Sequence, residues 1–240
     1  MKPAPGPSGG PVFTLPGGFV AAASPLFRGG LLSLQDEAEA VVAGLLDPRP
    51  GDAVLDLCAA PGGKASQIAE AIGAEGRLTA VERHGSRARA LRANLIGRLR
   101  IANADVVCGD GTRPPFARPF DRVLLDAPCT GLGVLRRRAD ARWRKDESSL
   151  TAMAELQGPL LAAAAALTRP GGILVYSVCS LEPEETDQIV STFLAAHSTF
   201  VREDARPHLP PGFRGADPVL RAMPWKHGTD GVFAARFRRA

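Results

Sequence analysis

The chain of 240 residues lacks the features that mark membrane, zinc and disulfide-stabilised proteins. Its longest alanine run, at 162–166, is far shorter than the roughly 20 apolar residues that cross a bilayer, and no apolar signal segment begins the chain. The four cysteines, Cys58, Cys108, Cys129 and Cys179, form no C-x-x-C pair, which argues against a zinc ribbon or a thioredoxin motif. We therefore expect a cytoplasmic protein with reduced thiols and no bound metal.

Two nucleotide-related motifs are also missing. The G-x-G-x-x-G fingerprint, which serves a pyrophosphate, is absent, and so is the N-P-P-Y type of tetrapeptide used in amino-group methylation of adenine. The net charge of +4 and the pI of about 9.2 favour a polyanionic partner without proving one. Nothing in the sequence demands more than a monomer.

The organisation is that of a short leader followed by one α/β domain. Residues 1–33 are rich in proline and glycine and predict an extended or mobile leader, and residues 34–240 predict a single domain. Apolar runs and helical spacing then alternate along the chain. They predict strands at 53–58, 77–82, 104–108, 121–126 and 172–179, and helices at 34–47, 64–72, 85–99, 148–168 and 183–196. The alternating segment 231–238 predicts an edge or antiparallel strand, so we expect a Rossmann-like, mainly parallel sheet with an antiparallel C-terminal strand.

Ligands of such sheets lie beyond the carboxyl ends of the strands. The turn after the first of these strands has small residues and two glycines, Gly62 and Gly63, which let a backbone approach a ligand closely. Glu82 ends the next strand, where a carboxylate can accept hydrogen bonds from both hydroxyls of a ribose, and Asp110 could accept one from an adenine amino group. This pattern favours S-adenosylmethionine over a nicotinamide cofactor or a purely structural turn.

Two further strand ends carry cysteines in polar surroundings. Cys129 follows Asp126-Ala127-Pro128, and Cys179 follows Tyr176-Ser177-Val178. A thiolate that adds to carbon 6 of cytosine makes carbon 5 able to accept a methyl group, so such a site needs a reactive cysteine, an acidic group near N3 and a route to a base. A cysteine at a strand end is often only a small buried residue, and we favour that reading for Cys58 and Cys108.

Four motifs in order resemble one known family. DLCAAPGGK (56–64), DAPCTGLGVLRRRADARW (126–143), YSVCSLEPEE (176–185) and HGTDGVFAARF (227–237) are similar to the motifs of the RNA 5-methylcytosine methyltransferases, the bacterial ribosomal RNA enzymes and their NOL1/NOP2/Sun relatives. The resemblance runs from about residue 35 to the C-terminus, and is strongest to the bacterial small-subunit ribosomal RNA enzymes. It implies a class I, S-adenosyl-L-methionine-dependent transferase that methylates carbon 5 of a cytosine in RNA, with rRNA processing as its role.

The resemblance also implies roles for individual residues. Cys179 would be the nucleophile, Cys129 would help to expel the enzyme from the methylated product, and Asp126 would lie near both the cofactor and the base. DNA cytosine methyltransferases instead use the Pro-Cys cysteine as nucleophile, in which case Cys129 and Cys179 would exchange importance. The residues expected to hold the cofactor are Cys58, Ala59, Ala60, Pro61, Gly62, Gly63, Lys64, Glu82, Asp110 and Asp126.

The loop after Cys129 is basic and contains an aromatic residue. Basic groups attract phosphates and an aromatic ring can stack on an unstacked base, so we expect this loop to contact single-stranded or flipped RNA. The alternative is a solvated loop with the ring packed beneath it. The candidate RNA contacts are Arg136, Arg137, Arg138, Arg142, Trp143 and Arg144.

The resemblance leaves the choice of RNA open. Family members carry an additional RNA-binding domain before this core, whereas only a leader and one predicted helix precede it here, so a partner or an assembled ribonucleoprotein could select the substrate, or the chain could be a fragment. Two alternatives stay open: a methyltransferase that acts on DNA, tRNA or a small molecule, and a non-catalytic RNA-binding or assembly factor that retains the fold.

Overall fold

The computed structural model describes residues 4–5, 13–15 and 18–240. Its helices are α1 Pro25–Arg28, α2 Glu37–Leu45, α3 Gly63–Ile72, α4 Gly85–Arg92, α5 Glu147–Ala166, α6 Asp187–Ala196 and α7 Pro224–His227. Its strands are β1 Ala4–Pro5, β2 Phe13–Thr14, β3 Ala53–Asp56, β4 Arg77–Glu82, β5 Ala104–Cys108, β6 Phe120–Asp126, β7 Thr168–Val178, β8 Phe200–Glu203, β9 Leu220–Ala222 and β10 Val232–Arg239. None of the helices in this described part is both long and apolar enough to cross a membrane.

Eight strands form one mixed sheet, and β1 and β2 pair separately. The order across the sheet is β5-β4-β3-β6-β7-β10-β8, with β9 beside β10. Strands β3 to β7 are parallel, and β10 runs antiparallel to both β7 and β8. The strand order reverses between β3 and β6, and an open α/β sheet leaves a crevice for ligands at such a point.

The predicted mainly parallel sheet and its antiparallel C-terminal strand are confirmed. The strand β10 does not lie at an edge, however, because β8 pairs with its outer side. We did not predict β8 and β9 from the sequence. They have four and three residues, which is too short for an alternating pattern to stand out, and they form because β10 offers main-chain partners.

Buried apolar side chains cover both faces of the sheet, so the strands appear in the sequence as continuous apolar runs. Local capping fixes where the flanking helices begin. The Asp36 carboxylate accepts a hydrogen bond from the Ala38 amide at the start of α2, and Asp146 and Ser149 form a capping box at the start of α5.

Part of the predicted leader is described. It contains α1, and Arg98 ties this segment to the π-helical turn Ala93–Arg98 that continues α4. The Arg98 guanidinium donates to the main-chain oxygens of Phe27 (3.0 Å) and Leu32 (2.8 Å) and lies over the Phe27 ring. Residues 1–3, 6–12 and 16–17 of the leader lie outside the described residues, and the domain boundary at residue 34 stays a prediction.

Candidate active site

A cavity of about 660 Å³ lies at the carboxyl ends of the parallel strands. One end is bounded by the residues after β3, β4 and β5, and the other by the residues after β6 and β7. Its lining includes Cys58, Ala60, Glu82, Arg83, His84, Asp110, Thr112, Asp126, Cys129, Arg138, Arg144, Leu156, Leu160 and Cys179. The strand ends singled out in the sequence therefore meet in one place.

The glycine turn after β3 shapes the cavity through its main chain. Gly62 has φ +104°, and a Cβ atom there would lie 2.8 Å from Leu91 Cδ1, so both conformation and space require glycine. Only Cys58 and Ala60 of the predicted turn residues line the cavity. The other predicted turn residues, Ala59, Pro61, Gly62, Gly63 and Lys64, are absent from the lining.

Two carboxylates face the same end of the cavity. Glu82 is almost wholly buried, accepts a hydrogen bond from the His84 amide (2.9 Å) and lies 3.4 Å from the Arg87 guanidinium. Asp110 is partly exposed, and one of its oxygens accepts bonds from the Thr112 amide (2.9 Å) and hydroxyl (2.8 Å). These bonds hold the pKa of Asp110 below its usual range, so it is available as an ionised acceptor.

Asp56, at the end of β3, is fully buried, and neither of its carboxyl oxygens has a hydrogen-bond partner among the described residues. Burial, reinforced by the charge of Asp126, raises the pKa of Asp56 to about 8. Burial and the charge of Asp56 also raise the pKa of Cys58, which keeps that sulfur a thiol. Cys58 is therefore poorly suited to act as a nucleophile.

Lys64 points toward the opposite end of the cavity from the turn that carries it. Its ammonium forms an ion pair with Asp126 (2.8 Å) and a second with Glu39 from α2. Burial alone would lower the pKa of Lys64, but the charges of Asp126 and Glu39 outweigh it and raise that pKa. The other Asp126 oxygen accepts a bond from the Ser177 hydroxyl (2.6 Å), so this carboxylate is fixed from two sides.

The two strand-end cysteines are neighbours. Cys129 Sγ lies 3.1 Å from Cys179 Sγ, and both are free thiols that line the cavity. The hydrogen bond with Cys179 and burial together raise the pKa of Cys129 well above its usual value, and the charge of Glu185 acts in the same direction. Cys129 thus holds its proton next to the Cys179 sulfur. Cys108, by contrast, is exposed and lies outside the cavity lining.

The basic loop divides into two parts. Arg136 and Arg137 both bind the fully buried Asp230 carboxylate, and Arg136 also pairs with Asp36 (2.7 Å). These two arginines of the predicted RNA-binding set therefore have partners within the protein. They fix the loop next to Gly231. The amide of Gly231 donates a hydrogen bond of 2.8 Å to the main-chain oxygen of Gly133 in the loop.

The second part of the basic loop faces outward. Arg138 and Arg144 line the cavity, and Trp143 is 83% exposed with the Arg142 guanidinium 5.6 Å from its ring centre. Trp143 is therefore not packed beneath the loop, which was the alternative to a nucleic-acid contact. Arg144 forms an exposed ion pair with Asp140 (2.8 Å).

Several residues of the site were missed in the sequence. Glu39 and Glu185 contact the cysteine end from α2 and from the turn before α6, and Thr112 and Leu160 help to line the cavity. The signal for Glu185 was present in the motif that follows Cys179, where three glutamates occur within four residues. Nothing in the sequence marked Glu39, because its partner Lys64 lies 25 positions away. Among the residues that the structure describes, no group of three potential metal ligands converges.

A Rossmann-like sheet with a glycine turn and carboxylates after successive strands is the arrangement expected of an S-adenosylmethionine-dependent methyltransferase. An S-adenosylmethionine-dependent methyltransferase of Aquifex aeolicus shares this fold, with a TM-score of 0.53 at 14% identity, over 92% of this chain and all of that one. Residues 43–238 match the family described as 16S rRNA methyltransferase RsmB/F, and the chain belongs to that family. The family resemblance predicted from the four motifs is thereby confirmed.

Individual relatives agree with this placement. Over 215 residues the chain is 39% identical to the ribosomal RNA small subunit methyltransferase B of Sodalis glossinidius. The matched segment is 88% of this chain and 47% of the relative. The crystal structure of NSun6 from Pyrococcus horikoshii with SFG superposes with a TM-score of 0.82 at 32% identity, over 95% of this chain and 57% of that one. The chain spans about half the length of the curated relatives it matches. These findings agree with the predicted methyl donor, S-adenosylmethionine.

Proposed function

We propose that this chain transfers a methyl group from S-adenosylmethionine to carbon 5 of a cytosine in RNA, with small-subunit ribosomal RNA as the substrate class. The names of the relatives support the RNA substrate, and the site supports the position on the base. The observation that carries the proposal is the 3.1 Å separation of Cys129 Sγ and Cys179 Sγ in the cavity that Glu82 and Asp110 also line. Two neighbouring thiols fit the formation and the release of a covalent pyrimidine adduct.

The cofactor end fits the methyl donor. Glu82 can accept hydrogen bonds from ribose hydroxyls and Asp110 from an adenine amino group, while the turn at Cys58 and Ala60 admits a close main-chain approach. The cofactor supplies an electrophilic methyl group when bound. The Lys64 ion pair holds Asp126 at the boundary between the two ends, where its carboxylate can accept a hydrogen bond from N3 of the base when N3 carries a proton.

The cysteine end performs the covalent steps. The Cys179 thiol loses its proton to solvent and the thiolate adds to carbon 6 of the cytosine. The electron pair that builds at carbon 5 then takes the methyl group, whose bond to the sulfur of the donor breaks. The proton on carbon 5 is then lost to solvent, the bond from Cys179 to carbon 6 breaks, and its electrons return to the sulfur. Cys129, which keeps its proton, donates a hydrogen bond to the departing sulfur 3.1 Å away. This assigns nucleophilic attack to Cys179 and release to Cys129.

The outward part of the basic loop supplies the RNA contacts in this proposal. Arg138 and Arg144 border the cavity, and the exposed Trp143 ring offers a surface on which a base can stack. Arg136 and Arg137 act indirectly, since their ion pairs with Asp230 hold the loop in place.

The test uses RNA that contains 5-fluorocytidine, because fluorine at carbon 5 cannot leave as a proton and the adduct persists. The unmodified protein with S-adenosylmethionine should give a denaturation-stable protein–RNA complex, and Cys179→Ala should abolish it. Cys129→Ser should keep the complex and should also accumulate an adduct on ordinary RNA, because release is slowed. Cys108→Ser is the control and should behave as the unmodified protein, since Cys108 lies outside the cavity lining.

Each other result has a definite meaning. A complex that survives Cys179→Ala but is lost in Cys129→Ala would exchange the roles of the two cysteines. Binding of S-adenosylmethionine without methyl transfer to any RNA would favour a non-catalytic assembly factor. Methyl transfer to DNA or tRNA in preference to ribosomal RNA would move the proposal to another substrate.

A further inference from the structure

A buried carboxylate lies beneath the loop that carries Cys129. The Glu185 side chain is fully buried, and it forms no ion pair with any residue that the structure describes. Its oxygens accept hydrogen bonds from the Thr130 amide (2.8 Å), from the Thr130 hydroxyl and from Gln157 Nε2 (3.0 Å). Three donors therefore stabilise this carboxylate in place of a cation.

The hydrogen bonds around Glu185 extend to the residue that precedes Cys129. Gln157 Nε2 also donates to the main-chain oxygen of Pro128 (3.0 Å), so the residues before and after Cys129 are tied to one network. The Tyr176 hydroxyl closes the network from β7 by donating to the main-chain oxygen of Glu185 (2.7 Å). Every side chain of this network is buried, which limits how far the loop can move.

A hydrogen bond between two sulfurs depends strongly on their separation, and a displacement of about 1 Å in a catalytic group can cost about a hundredfold in rate. We propose that Glu185 is a positioning residue that holds the Cys129 thiol against Cys179, acting through Thr130 and Gln157. This inference rests on the proposed function, because it assigns to Glu185 the geometry of the release step.

The charge of Glu185 supports the same arrangement. It is one of the causes that raise the pKa of Cys129, after the hydrogen bond with Cys179 and burial. A negative charge next to Cys129 therefore helps that sulfur to keep the proton that it offers to Cys179 during release.

The experiment compares Glu185→Ala with Glu185→Gln. Removal of the side chain should leave adduct formation on 5-fluorocytidine RNA within a few-fold of the unmodified protein, but should slow release from ordinary RNA about tenfold or more, so that adduct accumulates. Glutamine can accept from the Thr130 amide and from Gln157 and can donate to the Thr130 hydroxyl. Glu185→Gln should therefore restore most of the release rate.

Two further variants keep the test decisive. Thr130→Val preserves volume and removes one of the three donors, so it should slow release less than Glu185→Ala, and it serves if that variant does not fold. Glu184→Ala is the matched control, because this neighbouring glutamate makes no hydrogen bond to the Cys129 loop in the described structure. Its release rate should equal that of the unmodified protein.

The inference and the proposed function fail in different ways. If the unmodified protein forms no adduct with 5-fluorocytidine RNA, the proposed function is wrong. If it forms the adduct but folded Glu185→Ala and Thr130→Val release product at the unmodified rate, the role of Glu185 is overturned. Equal loss of adduct formation and release in these variants would also overturn it, because that pattern indicates a general structural role.

Discussion

The two ends of the cavity are built by different means. At the cofactor end, the two carboxylates accept hydrogen bonds from nearby amides: Glu82 from that of His84 and Asp110 from that of Thr112, each two residues away. At the cysteine end, the contacts join distant parts of the chain. Lys64 reaches Asp126 across 62 positions and Thr130 reaches Glu185 across 55.

The difference follows from what each end has to do. Recognition of a cofactor can be achieved by main-chain shape and a few acceptors, which the ends of successive strands and the turns after them provide. The chemistry of an adduct requires charged and protic groups held close together out of water, and a single turn cannot supply them. We therefore expect the cysteine end to depend on buried ion pairs, and the cofactor end to depend on glycine.

The largest effect on stability should come from removing the cation that joins the two ends. Lys64→Met leaves Asp126 and Glu39 without their common partner, and breaking a buried pair in this way costs about 3–5 kcal/mol of the free energy of unfolding. Methyl transfer should also be lost, since Asp126 loses one of the two groups that fix it. Urea denaturation and a methyl-transfer assay measure the two effects.

The matched control removes a cation from an exposed ion pair. Arg77→Met breaks the ion pair with Asp105, both of whose side chains are largely exposed, and should cost less than about 1 kcal/mol. Equal stability of Lys64→Met and Arg77→Met would show that the buried pair does not support the cysteine end.

An intermediate effect is expected at the cofactor end. Gly62→Ala places a Cβ atom at a positive φ and 2.8 Å from Leu91 Cδ1, and should cost about 1–3 kcal/mol and weaken binding of S-adenosylmethionine. Thermal unfolding and calorimetric titration measure these changes. Gly228→Ala is the control, because Gly228 has a left-handed backbone like that of Gly62 (φ +68°, ψ 11°) but open space around the added atom. If both variants lose the same stability and neither binds cofactor less tightly, close packing at Gly62 has no role.

The smallest effect is expected at the exposed loop that borders the cysteine end. Arg144→Ala should weaken RNA binding by about 1 kcal/mol or less and reduce the slope of its salt dependence by about 1, without changing stability. Fluorescence titration at several salt concentrations measures both quantities. Arg202→Ala on the outer strand β8 is the control and should leave RNA binding unchanged. Identical salt slopes for the two variants would remove Arg144 from the RNA surface.

Much of the fold was predictable because its parallel strands lie in apolar runs of the sequence that alternate with helical segments. The strands at 77–82 and 104–108 and the start of the sheet at residue 53 agree with β4, β5 and β3. The interior position of β10 was not predictable, because strand order depends on contacts between distant segments. In the candidate site, the sequence predicted which strand ends carry chemistry, but it could not separate Arg136 and Arg137 from Arg138, since all three are adjacent in the chain.

The sequence by itself determined the class of fold, the family and the strand ends at which Cys129 and Cys179 lie, because apolar runs, glycine turns and motifs are local patterns. Only the tertiary structure decided that the two sulfurs lie 3.1 Å apart, that Lys64 pairs with Asp126, and that Glu185 supports the Cys129 loop. The physical reason is that hydrogen bonds and buried charges act over a few ångströms in space, whatever their separation along the chain.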